Sequence, residues 1–99
     1  MPISDPLRPF TEIDLLIAPS EPGVYALWDQ GQLIYYGKAD TSISTRLYSH
    51  FRGDEGACTQ NATHYQVEIN QWPSIREREL VEEFKALYRQ LPRCNEVMP

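Results

Sequence analysis

Two short runs of strand-forming residues face each other across a turn, and this pairing constrains the fold more than any other feature of the chain. Val24-Tyr25-Ala26-Leu27-Trp28 follows Gly23, and Gln32-Leu33-Ile34-Tyr35-Tyr36 follows Asp29-Gln30-Gly31. Apolar, aromatic and β-branched residues on both sides of an Asp/Gly-bearing turn read as a β-hairpin. Its register has two solutions. A three-residue loop sets Tyr25 opposite Tyr35 on one face; a two-residue turn sets it opposite Tyr36. Gly37, directly after the second run, predicts close backbone approach by another group.

The pattern then changes period. Asp40-Thr41-Ser42 offers capping side chains, and Ile43, Leu47 and Phe51 recur at helical spacing, so a helix should run to about Phe51 and stop near Gly53. Residues 54–62 are polar and read as a loop. His64 to Asn70 alternates, with Tyr65, Val67 and Ile69 on one face, which predicts a third strand. Pro73 and Ser74 introduce a helix to about Gln90, with Leu80, Val81, Phe84, Leu87, Tyr88 and Leu91 as its apolar stripe and Pro92 beyond its end. The first twenty-two residues form a proline-rich arm with a short helix or turn near 11–18. The expectation is a single domain over residues 1–99 whose core spans 23–95: a small α/β fold, order ββαβα, with a three-stranded sheet flanked by helices.

Composition narrows the functional classes. The chain is 41% hydrophobic and 23% charged, as in ordinary folded domains. No apolar run approaches the roughly 20 residues that cross a bilayer, and the N-terminus lacks the pattern of a signal peptide. A cytoplasmic protein without membrane association is expected. Cys58 and Cys94 have no CxxC spacing and are expected as free thiols. The net charge of −5 opposes non-specific nucleic-acid binding, which lysine and arginine drive. The segment 34–53 is locally basic, with Lys38, Arg46 and Arg52 against Asp40.

Glu77 projects among Leu80, Val81 and Phe84, on the apolar side of the last helix. A carboxylate there is costly unless a cation or hydrogen bonds satisfy it. One solution is a divalent ion held by a single carboxylate, with water and substrate phosphate completing the shell. The other is a capping box, Ser74-Ile75-Arg76-Glu77, in which Glu77 turns back to the Ser74 N–H. Arg46 and His50, four residues apart, flank the apolar stripe of the first long helix and can converge at the edge of the core. Tyr25 and Tyr35, each taken alone, read first as half-buried core with hydroxyls at the rim.

In order along the chain, these residues resemble the GIY-YIG nuclease superfamily. Gly23-Val24-Tyr25 matches its first motif and Tyr35-Tyr36-Gly37 its second, followed by Lys38-Ala39; the helical arginine falls on Arg46 and its companion on His50. Glu77, with apolar residues three, four and seven positions on, matches the metal-binding glutamate, and Pro92-Arg93-Cys94-Asn95 the terminal Pro-x-x-Asn pattern. The family includes the N-terminal nuclease domain of the bacterial excision-repair incision subunit. The resemblance implies an endonuclease that hydrolyses DNA phosphodiester bonds with one Mg²⁺ or Mn²⁺ ion on Glu77, leaving 5′-phosphate and 3′-hydroxyl ends. Tyr25 would assist water attack, Tyr35 and His50 would orient the water and relay protons, and Lys38 and Arg46 would neutralise phosphate charge. Gly37, Arg52 and Asn95 would lie along the substrate. Duplex, branched and single-stranded DNA are all admissible, and a protein partner could supply targeting. The rival expectation is a catalytically inactive module of the same fold that binds nucleic acid or a protein.

Overall fold

A computed structural model describes all of residues 1–99. Its centre is the hairpin of β2 (Gly23–Asp29) and β3 (Gln32–Ala39), joined by a tight turn with Gln30 at φ 49° and Gly31 at φ 85°. Two consecutive residues at positive φ match the right-handed twist of the flanking strands. The strand β4 (His64–Ile69) pairs antiparallel with the other side of β2, and β1 (Arg8–Pro9) pairs antiparallel with β4. The sheet therefore has four strands in the order β1-β4-β2-β3, one more than the sequence predicted. The extra strand has only two residues and includes a proline, so it carries no alternation from which to predict it.

The hairpin adopts neither expected register. Asp29 pairs with Gln32 across a two-residue turn, but a bulge follows, because Trp28 pairs with Leu33 and Leu27 with Tyr35, leaving Ile34 as the extra residue. A bulge moves every later partner by one position. Tyr25 thus lies opposite Gly37, and Tyr35 sits diagonally from it on the same face. A Cβ on Gly37 would fall 2.4 Å from Cζ of Tyr25, so the glycine makes room for the phenol ring.

Two layers cover the sheet. On one face, α2 (Ile43–Phe51) buries Ile43 and Leu47 against Tyr25, Leu27, Ala39 and Tyr65. On the other, α4 (Pro73–Tyr88) buries Leu80 and Val81 against Val24, Ala26, Leu33 and Tyr36. Alternate residues of β2 serve the two cores, so this central strand is apolar throughout its buried length. Ser42 caps α2 by accepting the Thr45 N–H, within the expected capping segment. Two short helices complete the chain, α1 (Glu12–Leu15) and α3 (Ala57–Gln60), the latter in a segment expected to be a loop. No helix is long and apolar enough to cross a membrane.

The expectation of free thiols is overturned, because Cys58 in α3 and Cys94 in the C-terminal segment form a disulfide. They lie 36 positions apart, and no local spacing signals the pairing; the fold brings α3 and the returning tail together.

Candidate active site

Glu77 stands in the second turn of α4. Its helix begins at Pro73 with Trp72 as N-cap, and no side chain caps it. The capping-box solution is therefore not adopted: Ser74 lies inside the helix, and Pro73 takes the first helical position that suits it. The Glu77 residue is only 8% exposed, but its carboxylate oxygens, which make no hydrogen bond or ion pair with the protein, reach solvent. The carboxylate opens onto two adjoining cavities. One, of about 490 Å³, is lined by Tyr35, Lys38, Asp40, Thr45, Arg46 and Glu77 among others. The second, of about 510 Å³, is lined by Tyr35, His50, Glu55, Thr59, Glu77 and Asn95 among others. Tyr35 and Glu77 form the wall the two share. Burial raises the Glu77 carboxyl above its ordinary range; Lys38 and Arg46 oppose this and Asp40 adds to it.

Tyr25 lies behind this wall. It is wholly buried, its ring centroid 6.2 Å from that of Tyr35 and 5.5 Å from that of His50. Its hydroxyl is 2.8 Å from Nε2 of His50, and the Arg46 guanidinium bears on the same oxygen. Nδ1 of His50 is in turn 2.7 Å from the Thr59 hydroxyl. Burial raises Tyr25 well above the ordinary phenol value, with Tyr35 adding to the shift and Arg46 opposing it. Tyr35 is raised too, by burial and then by the Glu77 charge. Burial lowers His50 to about 4, helped by the Arg46 charge, so the ring is neutral at neutral pH.

The two cations at the cavity are engaged by carboxylates. Lys38 Nζ donates to both oxygens of Asp40, at 2.8 and 3.0 Å. Arg46 donates to both oxygens of Glu55, each at 3.3 Å. These pairs occupy the groups best placed to receive a phosphate, and forked Arg–carboxylate geometry resembles Arg–phosphate geometry. Sequence reasoning did not identify Asp40, Glu55 or Thr59 as site residues; the last two lie in the polar segment 54–62, which has no pattern to place them.

Of the residues expected along the substrate, Gly37 lies under the Tyr25 ring. Asn95 clamps Tyr36, its Oδ1 accepting the Tyr36 N–H and its Nδ2 donating to the Tyr36 carbonyl, both at 3.0 Å. Arg52 is not brought to the cavities; it pairs with Asp54 at 3.0 Å and lies over the Tyr48 ring.

No cluster of three or more metal-binding side chains exists in the molecule. Glu77 fits the alternative for a hard divalent ion, one carboxylate with an open side for water and phosphate. A carboxylate with no protein partner, on a largely buried residue and open to the cavities, is free to act as that donor.

Tyr25, Tyr35, Lys38, Arg46, His50 and Glu77 lie within a stretch matched by a known family, and Asn95 lies beyond it. The family model described as the GIY-YIG catalytic domain matches residues 21–89. Among solved structures, the chain is similar to the GIY-YIG N-terminal endonuclease domain of UvrC from Thermotoga maritima bound to its catalytic divalent cation, magnesium. That match has 30% identity and a TM-score of 0.54, over 82% of this chain and 90% of the other. A tyrosine-to-phenylalanine variant of the same domain, also bound to its catalytic divalent cation, matches with 28% identity and a TM-score of 0.56, over 84% and 91%. A comparison with curated protein sequences returns no significant match.

Proposed function

Because this chain belongs to the GIY-YIG catalytic domain family, we propose that it is an endonuclease that hydrolyses DNA phosphodiester bonds with one Mg²⁺ or Mn²⁺ ion. The observation that carries the proposal is Glu77, a largely buried residue whose carboxylate has no protein partner and opens onto two polar cavities. Glu77 would hold the ion, which when bound supplies positive charge to phosphate oxygens.

The chain's own residues then divide the remaining work. Lys38 and Arg46 line the first cavity with Glu77 and neutralise the phosphate as it turns trigonal-bipyramidal, releasing Asp40 and Glu55 in exchange. Tyr35 lines both cavities and would orient the attacking water. Tyr25 is the base at the end of this path, and its oxygen is held by His50 and Arg46. Its raised pKa keeps the phenol protonated at rest, so it can serve as base only after its own proton has passed to solvent, a loss that cationic charge gathered at the site favours.

A second reading is favoured by the same ion pairs. With Lys38 and Arg46 held by Asp40 and Glu55, the domain could serve as a non-catalytic module that binds DNA or a protein partner. Labelled single-stranded, duplex and branched DNA, incubated with Mg²⁺ or Mn²⁺, separates the two. Wild type should cut and Glu77→Ala should fall by about 10²–10³-fold while remaining folded. Absence of cutting by wild type on every substrate, or equal cutting by the variant, sinks the nuclease reading.

A further inference from the structure

The Cys58–Cys94 disulfide has no part in the mechanism above, yet it stands in the wall of the site. Both cysteines line the second cavity, beside Glu55, Glu77 and Glu96. Cys58 is exposed and Cys94 half-buried, so a thiol in solution reaches the bond from the Cys58 side. The groups assigned to the chemistry stand on β2, β3, α2 and α4, and the bond joins none of these elements.

What it restrains is the segment that carries Glu55. Asp54 to Cys58 is exposed throughout, and no side chain caps α3, whose four residues are too few to hold a helix alone. The Thr59 hydroxyl meets Nδ1 of His50, and the Gln60 amide donates to the Phe51 carbonyl. The disulfide is the covalent tie, and it runs to a tail fixed on β3. There the Cys94 N–H donates to the Ile34 carbonyl at 2.8 Å, and Asn95 clamps Tyr36. Glu55 itself lies in a turn between Gly53, at φ 83°, and Gly56, at φ 106°. Glycine passes between positive and negative φ at little cost, so this turn can take another shape once its far end is freed.

The carboxylate in that turn is an internal rival of the substrate. Glu55 accepts from both terminal nitrogens of Arg46, as a phosphate would. A phosphate gains Arg46 only by displacing it, and displacement is harder while the turn is pinned at Cys58.

We propose that the Cys58–Cys94 disulfide is a redox latch: oxidised, it keeps Glu55 across Arg46; reduced by a dithiol, it releases the turn and yields the guanidinium to phosphate. A thiolate of the dithiol attacks Sγ of Cys58, the Cys58–Cys94 bond breaks, and Cys94 leaves as a thiolate that takes up a proton. The second thiol of the reductant then attacks the mixed disulfide, freeing Cys58 as a thiol and leaving the reductant as a cyclic disulfide. Two electrons pass from the dithiol to the cysteine pair. The assignment of a phosphate to Arg46 rests on the nuclease reading; the release of the turn does not.

The test uses the full chain, oxidised and then treated with dithiothreitol, with near-UV circular dichroism to follow its fold. The Asp54 and Gly56 N–H groups donate to the Ser49 and Gly53 carbonyls. Their hydrogen exchange should quicken about tenfold on reduction, while β2 and α4 stay protected. A labelled DNA duplex, without added metal so that nothing is cut, should bind reduced wild type about fivefold more tightly, the order of one exposed ion pair. Oxidised Glu55→Gln should already bind as tightly as reduced wild type, and reduction should add nothing to it. Exchange at the turn that reduction leaves unchanged overturns the proposal. Equal affinity of the two wild-type forms does the same, as does a gain on reduction that Glu55→Gln shows in full. Loss of the near-UV spectrum on reduction also overturns it, by making the bond a staple of the whole fold. A wild type that shows both changes but cuts no DNA once Mg²⁺ is added contradicts the nuclease reading alone.

Discussion

At the scale of single residues, buried polar groups decide what the site can do. His50 is 1% exposed, and burial holds its pKa near 4, below the value of about 6.5 it has in an unfolded chain. A lowered histidine contributes stability in full above the unfolded value and loses it as pH falls toward the folded one. The contribution, up to about 3 kcal/mol, should therefore vanish between pH ~6.5 and 4. An NMR titration of the His50 ring should give a midpoint near 4; a midpoint near 6.5 would mean that the ring is not buried as described. Gly37 is the companion case. Gly37→Ala drives a methyl into the Tyr25 ring, since the added Cβ falls 2.4 Å from Cζ. We expect a loss of about 1–3 kcal/mol in urea unfolding, with Tyr25 displaced from His50; an unchanged midpoint would contradict the packing. The inward placement of Glu77 was legible in the sequence because a carboxylate interrupts an apolar stripe. Thr59 was not, because its partner is nine positions away across an irregular segment.

At the scale of elements, most strands and helices followed from periodicity, and the deviations have local causes. The ends of α2 and β4 fall within a residue or so of their expected places, since capping and alternation are signals carried by the segment itself. The hairpin register escaped because one bulge at Ile34 has no sequence marker, although it decides that Tyr35 and not Tyr36 shares a face with Tyr25. The disulfide escaped because pairing across 36 positions depends on tertiary contact. It ties α3, and so the segment carrying Glu55 and Thr59, to the tail carrying Asn95. Replacing both Cys58 and Cys94 by serine should cost about 3–4 kcal/mol of unfolding free energy, by chain-entropy reasoning for a loop of this length. Equal stability of the variant and the oxidised protein would show that the bond does not constrain the fold.

At the scale of the whole molecule, a net charge of −5 surrounds a cavity with two cations, each already paired to a carboxylate. Electrostatic attraction to DNA should be weak. If Lys38 and Arg46 are the phosphate contacts, log K against log salt should have a slope near −2, at about 0.9 per phosphate neutralised. A slope of −6 or steeper would require a basic surface the molecule does not have. Recognition then depends on the site and on the ion rather than on a broad charged face, which places the weight of the account on Glu77. The most direct check is diffraction from crystals soaked in Mn²⁺, at a wavelength where manganese scatters anomalously. The account predicts an anomalous peak about 2.1 Å from a Glu77 carboxylate oxygen, facing the cavity shared with Tyr35, and its loss in Glu77→Gln. A wild-type crystal with manganese elsewhere and none at Glu77 would contradict it.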